Sequence, residues 1–510
     1  MGSLNAPTLG HLLSRRAMLS GHSDAIRAAD GATTFRGLDQ GVDRIASALS
    51  SLGIRKGDRV GVLMQNGLGF AEGILGIVRL GAVACPLNTR LSPAEIAAIT
   101  IDSGMRLLIS ESFFADVAAS ALLSLPSLKS IEIEELRSVG AELPPPDGAL
   151  DEPGSADFAL LVYTSGTTGR PKGVVFTHDQ LLWSSLTMIP TLDMRAGDVH
   201  LLPVPMFHVG GLSFIVHCLH LGITLSIPPR WDASAILNRI EMEQVAHFFA
   251  VPTMLTDLLS SSDFARERMR SVRWIMGGGA PVPVSLIQRF HDLGIPLLQT
   301  CGATETGGPG LVVDGTSALL KAGSVGRGFF HTDVRLVNEA GLLSHANEAG
   351  EIQLMGRHIA SGYWNAPDLT AEVFGDDGWF RTGDIGVADD DGYITLIDRK
   401  RNKIITGGEN VYPAEVEAAL SDLPGIAEIA IVGLPDERLG EIVTAVVVYK
   451  SKSSTPSLED LRIACDGVLA RYKHPRRLVV RDALPRNATG KLLRGALLAS
   501  ISEEASSRHD

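Results

Sequence analysis

The sequence predicts an α/β protein, with a large N-terminal domain of βαβ-built subdomains and a small α+β C-terminal domain. Three observations predict it. Apolar strand-like runs alternate with helical periodicity through the first third, the alternation returns between residues 236 and 293, and a charge run at 398–403 sets off a differently patterned last segment.

In order, Gly37 to Leu52 carries apolar residues at helical spacing, DRVGVLM (58–64) reads as a buried strand, Phe70 to Leu80 as a helix and AVACPL (82–87) as another strand. Glu142 to Ser155, rich in proline, glycine and acid, reads as an exposed connector. FALLVY then reads as a strand. Between Asp198 and Arg230 no Asp, Glu, Lys or Arg occurs, but four histidines and four prolines interrupt the run, so it predicts a buried helix and strand of a core and no membrane span. A helix from Ile236 to Glu243 precedes the apolar run VAHFFAVP, and RWIMGGGAP precedes a helix from Pro283 to Leu293. GYITLI (392–397) ends in DRKRNK (398–403). Beyond it the pattern predicts a helix from Pro413 to Leu420, strands EIAIVGL and IVTAVVVY, a helix from Leu458 to Ala470 and a strand in RRLVVRD.

Composition narrows the function classes. A chain of 510 residues with 45% hydrophobic and 20% charged residues is globular, which excludes a disordered chain, a collagen and a coiled coil. A formal net charge of −13 gives no electrostatic reason to expect nucleic acid as a partner. Cys85, Cys218, Cys301 and Cys465 are far apart and never form C-x-x-C, so neither a disulfide framework nor a zinc site is expected. The first residues lack the order of a secretory signal. A cytoplasmic location is the expectation.

The segment richest in chemistry is YTSGTTGRPKG, Tyr163 to Gly173. A strand runs directly into Thr164, Ser165, Gly166, Thr167, Thr168 and Gly169, and Lys172 follows. Glycines let the backbone turn sharply and aim N–H groups at one point, hydroxyls add donors and the lysine adds charge. That predicts a polyphosphate cradle. It is not a Walker loop, because Arg170 and Pro171 separate Gly169 from Lys172. MGGGAP (276–281) lacks G-x-G-x-x-G and by itself reads as a tight turn.

With YTSGTTGRPKG, LPVPMFHVGGL, GGGAP, CGATETGG, GWFRTGDIG, DRKRNKIITGGENVYPAEVE and PRNATGKLLR in this order, the chain resembles the adenylate-forming superfamily of acyl- and aryl-CoA synthetases, luciferases and adenylation domains. The form of GGENVYPAEVE is most similar to bacterial fatty-acyl and aryl-CoA ligases. The resemblance implies that a carboxylate attacks the α-phosphorus of ATP to give acyl-AMP and pyrophosphate. Coenzyme A then displaces AMP to give a thioester. A carboxylate approaching a triphosphate needs fixed donors and a metal, here magnesium, where charge moves to pyrophosphate. Acyl-AMP hydrolyses readily, so the site must also exclude water.

Residue roles follow from the resemblance, position by position. Thr164 to Gly169 and Lys172 match the phosphate loop, and Thr304 with Glu305 match the pair that meets the phosphates and magnesium. Gly278, Gly279 and Ala280 match the turn under adenine. Asp384 matches the acid on the ribose hydroxyls and Arg399 its partner. Lys491 matches the lysine of the adenylation transition state, and Arg401 the pivot on which a mobile C-terminal lid rotates between the two half-reactions. Gly407, Gly408 and Glu409 match the loop entering the site for thioester formation. The implied division is 1–397, a hinge at 398–402 and 403–510. His208 matches the gate to the acyl site, with Gly210 and Gly211 leaving room behind it. No lysine or arginine interrupts that segment, which favours a small-molecule carboxylic acid with an uncharged alkyl or aryl tail.

The chain departs from the family pattern at three positions. Arg401 stands where Asp or Lys is usual, Cys301 where an aromatic residue stacks on adenine, and Ile405 where some aryl-CoA ligases place a lysine for the coenzyme. Two other activities use the same residues. One is acyl transfer to a separate carrier protein or an amine; the other is a non-catalytic nucleotide-binding regulator, against which Lys172, Glu305, Asp384 and Lys491 argue together.

Overall fold

The computed structural model describes residues 8–144, 153–164, 171–406, 409–436, 438–451, 455–466, 469, 471–486 and 492–506. The chain falls into two compact units, Met1–Val334 with Gln353–Arg381, and Arg335–Ile352 with Thr382–Asp510.

In the first unit, one sheet runs Gly362–Tyr363, Lys172–Thr177, Phe158–Thr164, Val83–Pro86, Arg59–Leu63, Leu107–Ser110, Lys129–Glu132. From Phe158–Thr164 onward the pairs are parallel, and the first three strands pair antiparallel. Val83–Pro86 and Leu107–Ser110 are buried at every position, as expected of parallel strands covered on both faces. The covering helices start where the sequence lets them. Phe35–Ser51 is capped by the Thr34 hydroxyl, which accepts from the Gly37 N–H, and it turns Leu38, Val42, Ile45 and Leu49 inward at helical spacing.

The second sheet of this unit has nine strands among the described residues: Arg327–Gly328, Leu311–Val312, Leu297–Cys301, Trp274–Gly277, His247–Ala250, Val199–Leu201, Thr224–Ile227, Asp24–Ala28 and Gly31–Thr34. Six of them, from Leu297–Cys301 to Asp24–Ala28, are parallel. Their carboxyl ends therefore share one edge of the sheet, the usual place for a ligand in an open α/β fold. Past that edge the chain continues into His208, Gly278 and Glu305.

The uncharged stretch forms the strands Val199–Leu201 and Thr224–Ile227 around the 13-residue helix Val209–Leu221, mostly buried. Among the described residues no helix is long and apolar enough to cross a membrane.

In the second unit, most of a four-stranded sheet (Asp333–Val337, Ala349–Met355, Phe380–Ala388, Ile394–Arg399) accompanies a sheet of Glu409–Val411, Ile404–Thr406, Gly440–Tyr449 and Ile426–Asp436, with Arg477–Val480 parallel to Gly440–Tyr449. The helix Pro413–Leu420 forms as expected. The helix expected from Leu458 to Ala470 stops at Cys465. Asp466 leaves it with an extended backbone, where aspartate, a poor helix former, is followed in sequence by Gly467.

The core of the first unit contains histidines. His247 donates from Nε2 to Asp198 (3.2 Å), Arg273 also holds Asp198, and the His247 Nδ1 lies 2.8 Å from the His200 Nδ1. With its proton on Nε2, His247 accepts from His200, so both rings sit neutral. Burial lowers these titrations from the ordinary 6.5, to about 4 for His178 and His358 and to about 3 for His217. It holds His200 well below.

The unfolded chain therefore binds more protons than the native one below pH 6.5, and stability falls as pH falls toward those lowered values. We predict a urea midpoint nearly constant from pH 7 to 8. Between pH 6.5 and 4 it should decline, with each such histidine contributing up to about 1.4 kcal/mol per pH unit. A midpoint flat down to pH 4.5 would contradict this account.

Candidate active site

Thr164 ends one strand and Lys172 opens the next, and the two are cross-strand partners. The intervening Ser165, Gly166, Thr167, Thr168 and Gly169 lie outside the described residues. On the outer side of the Lys172 strand, Tyr363 pairs with Val174, and its ring centroid lies 5.6 Å from the Lys172 Nζ. The Tyr363 hydroxyl donates to the Glu305 Oε1 at 2.6 Å. Lys172 and Glu305, expected to share a phosphate site, are thus joined through one aromatic ring.

Glu305 sits in the single 3₁₀ turn Thr304–Thr306 that follows strand Leu297–Cys301. The turn is clamped from several directions. The Thr306 hydroxyl bonds the Ala303 carbonyl and accepts from the Ala303 N–H, and the Ala360 N–H donates to the Glu305 carbonyl at 2.8 Å. The Ser184 hydroxyl donates to the Gly307 carbonyl at 2.8 Å and accepts from His217 Nε2 at 3.1 Å, all in the buried interior. Thr304 and Glu305 remain half-buried at the end of this clamp.

Gly278 is buried, and a Cβ there would stand 2.7 Å from the Thr300 Cγ2 and 2.9 Å from its carbonyl oxygen, so only glycine fits. Gly279, with φ +78°, and Ala280 are exposed beyond it, leaving backbone accessible where a flat ring could lie. Cys301 is half-buried on the neighbouring strand.

His208 caps the helix Val209–Leu221, with its ring 4.6 Å from that of Phe207. Burial, reinforced by the charge of Arg90, lowers its titration to about 4, so it stays neutral near pH 7. Arg90 comes from another segment. A cation therefore acts on His208 although none interrupts residues 199–229.

The two glycines behind His208 have different surroundings. A Cβ on Gly211 would stand 2.4 Å from the Pro205 oxygen, so this glycine permits close backbone packing. One on Gly210 would meet the Phe249 ring at an ordinary 3.4 Å, and the same ring lies 3.2 Å from the corresponding point on Gly278. Phe249 thus stands between the segments of Gly210 and Gly278.

In the second unit Asp384 and Arg399 are cross-strand partners, the Arg399 Nε 2.5 Å from the Asp384 Oδ1. Arg401 lies in the 3₁₀ turn Lys400–Asn402, its side chain outside the described residues. Glu409 opens the strand Glu409–Val411 and is exposed; Gly407, Gly408 and Lys491 lie outside the described residues.

The donor set fits a magnesium ion held mainly by phosphate oxygens. Tyr363 takes one oxygen of Glu305, and Oε2 has no hydrogen bond among the described residues. No group of three His, Cys, Asp or Glu residues able to hold a metal occurs among them. A magnesium carried by nucleotide phosphates needs only one or two carboxylates.

The family models decide the identity. The AMP-binding enzyme model matches residues 13–364, and the AMP-binding enzyme C-terminal domain model matches 415–491. The chain belongs to the AMP-binding enzyme family. It is 38% identical over 499 residues to a long-chain-fatty-acid–CoA ligase of Mycobacterium tuberculosis, covering 96% of this chain and 97% of that one. It is 37% identical to a feruloyl-CoA synthase of Amycolatopsis, over 96% and 98% of the two chains. O-succinylbenzoate coenzyme A synthetase from Bacillus subtilis, solved in complex with ATP and magnesium ion, superposes with a TM-score of 0.86 at 32% identity, over 95% of this chain and 98% of that one. This AMP-binding enzyme is a carboxylate–CoA ligase of the AMP-forming kind.

Tyr363, Phe249, Ser184 and His217 are site or support residues that motif reading passed over. Nothing in the spacing links Tyr363 to Glu305, 58 positions away. Ser184→Ala leaves the Gly307 carbonyl and the His217 N–H unpaired in the interior. We expect a loss of about 2 kcal/mol in urea unfolding. A loss under about 0.5 kcal/mol would show that the clamp is not built through Ser184.

Proposed function

We propose that this ligase activates a fatty or aromatic acid with an uncharged tail in the cytoplasm, with no nucleic-acid partner, and that the residues above carry the roles their motifs imply. The observation that carries the reading is the Lys172–Tyr363–Glu305 grouping, a lysine from one sheet and a carboxylate from the turn after a strand of the other, brought to one tyrosine. Lys172 and the Thr164 loop would hold the β- and γ-phosphates, and Thr304 and Glu305 the magnesium side. Magnesium supplies neutralisation of the charge that moves onto pyrophosphate. Gly278, Gly279 and Ala280 would offer backbone to adenine, and Asp384 with Arg399 would take the ribose hydroxyls.

Acid entry would pass neutral His208, whose uncharged ring neither attracts nor repels the carboxylate. Phe249 and Gly210 would then wall the tail. Lys491 would stabilise the pentavalent α-phosphorus during attack. A lysine so placed stands in the way of coenzyme A afterwards, which motivates a hinge at 398–402 with Arg401 as pivot, a C-terminal lid of 403–510, and the entry of Gly407, Gly408 and Glu409 for thioester formation.

Lys491→Ala should lower acid-dependent pyrophosphate release by two to three orders of magnitude, about 3 to 4 kcal/mol, while supplied acyl-AMP and coenzyme A still give thioester. Equal loss of both half-reactions would reject its role. The same pyrophosphate readout over alkyl, benzoic and cinnamic acids identifies the substrate, and ADP with phosphate in place of AMP would reject the reaction.

A further inference from the structure

Lys172 and Glu305 carry opposite charges and meet the same tyrosine, the lysine over its ring and the carboxylate at its hydroxyl, yet no ion pair joins them among the described residues. Were they to meet, each would neutralise the group meant for phosphate or metal. We propose that Tyr363 is a positioning residue for adenylation: its hydroxyl fixes the Glu305 carboxylate so that Oε2 faces the metal, and its ring keeps the Lys172 ammonium away from that carboxylate. The inference rests on the metal-side role proposed for Glu305.

Tyr363 is well placed to do this. It belongs to the short strand Gly362–Tyr363 on the outer edge of the Lys172 strand, paired Tyr363 to Val174, so its backbone is tied to the strand that Lys172 opens. Its N–H donates to the Thr370 hydroxyl at 2.9 Å, and its ring packs edge-on against Phe374 at 5.6 Å. The Ala360 N–H, three residues earlier in the same segment, holds the Glu305 carbonyl. One stretch therefore grips Glu305 at both its backbone and its carboxylate. A hydroxyl donating to one oxygen of a metal-binding carboxylate fixes the rotation of that group, and loss of such outer partners commonly weakens metal binding 10- to 100-fold. The lysine face of the ring is attractive to a cation without neutralising it.

The test separates hydroxyl from ring, using the full chain. Mn²⁺ binding to the enzyme with a non-hydrolysable ATP analogue is measured by water-proton relaxation, a readout independent of turnover. Tyr363→Phe keeps the ring and should bind Mn²⁺ about tenfold more weakly, with affinity for the nucleotide measured without metal, the KM for the acid and conversion of supplied acyl-AMP unchanged. Unchanged nucleotide affinity shows that the site is still formed. Tyr363→Leu, which removes the spacer as well, should also weaken the nucleotide, because Lys172 then pairs with Glu305. Glu305→Gln, which removes the carboxylate charge itself, should weaken Mn²⁺ binding at least as much. If Tyr363→Phe binds Mn²⁺ within twofold of the parent while Glu305→Gln does not, the positioning role is overturned and the Glu305 reading stands. If Glu305→Gln also binds normally, the metal-side role falls and the inference with it.

Discussion

A site for ATP must hold a cation and an anion within reach of one polyphosphate without letting them neutralise each other. Two unit charges 4 Å apart near a protein surface attract by about 4 kcal/mol, far more than one side-chain rotamer preference. Desolvation and side-chain entropy offset most of that attraction at a partly exposed site, so a modest spacer suffices, and the one proposed is the Tyr363 ring, with Lys172 over it and Glu305 on its hydroxyl. The rest of the first unit serves this separation. The antiparallel strands Phe158–Thr164 and Lys172–Thr177 fix the lysine, and the parallel sheet delivers Leu297–Cys301 to the edge where the Glu305 turn begins.

The buried polar groups behind that turn follow from the same demand. A turn that must not yield to an attractive charge needs its backbone carbonyls bonded, and an apolar core offers few donors. Ser184 supplies one, and His217 orients Ser184. A histidine serves because burial keeps it neutral, with Nε2 as donor. The His200–His247–Asp198–Arg273 chain does comparable work further down the sheet, linking neighbouring strands near the start of the uncharged stretch. An apolar segment with histidines and no charges is therefore a core with neutral hydrogen-bonding parts.

How much of this was legible in the sequence depends on whether a feature is local. The strand–helix alternation is local, and it placed Arg59–Leu63, Val83–Pro86, Phe35–Ser51 and Pro413–Leu420 within a few residues. The family motifs are local too, and they pointed to Lys172, Glu305 and the Asp384–Arg399 pair. The strand Phe380–Ala388 was not legible as a strand, because FRTGDIGVA shows no alternation and its exposure follows none. Phe249 was hidden in an apolar run where any residue reads as core; only the folded sheet sets it between Gly210 and Gly278. Tyr363 was invisible for a stronger reason. Its function is a contact between segments that only the strand register brings together.

The proposed hinge can be weighed by the bonds around it. Asp398 accepts from the Asn402 amide at 2.9 Å and from the Ala414 N–H at 2.8 Å, the second reaching across the whole 399–402 turn to the first residues of the helix Pro413–Leu420. Lys400 adds an exposed ion pair with Glu351 at 3.0 Å. A rotation at Arg401 would have to exchange the Asp398 bond to Ala414, worth about 1.5–3 kcal/mol as a bond to a charged group, while the exposed pair contributes under about 1 kcal/mol. Thermal motion crosses costs of that size readily when water or a new partner replaces the bond. The Asp384–Arg399 pair lies just before the pivot, so the ribose grip proposed there need not break when the turn does. If the chain pivots at Arg401 as proposed, a carboxylate bonded to Asn402 and to Ala414 would serve as a latch, strong enough to define one arrangement and weak enough to release it.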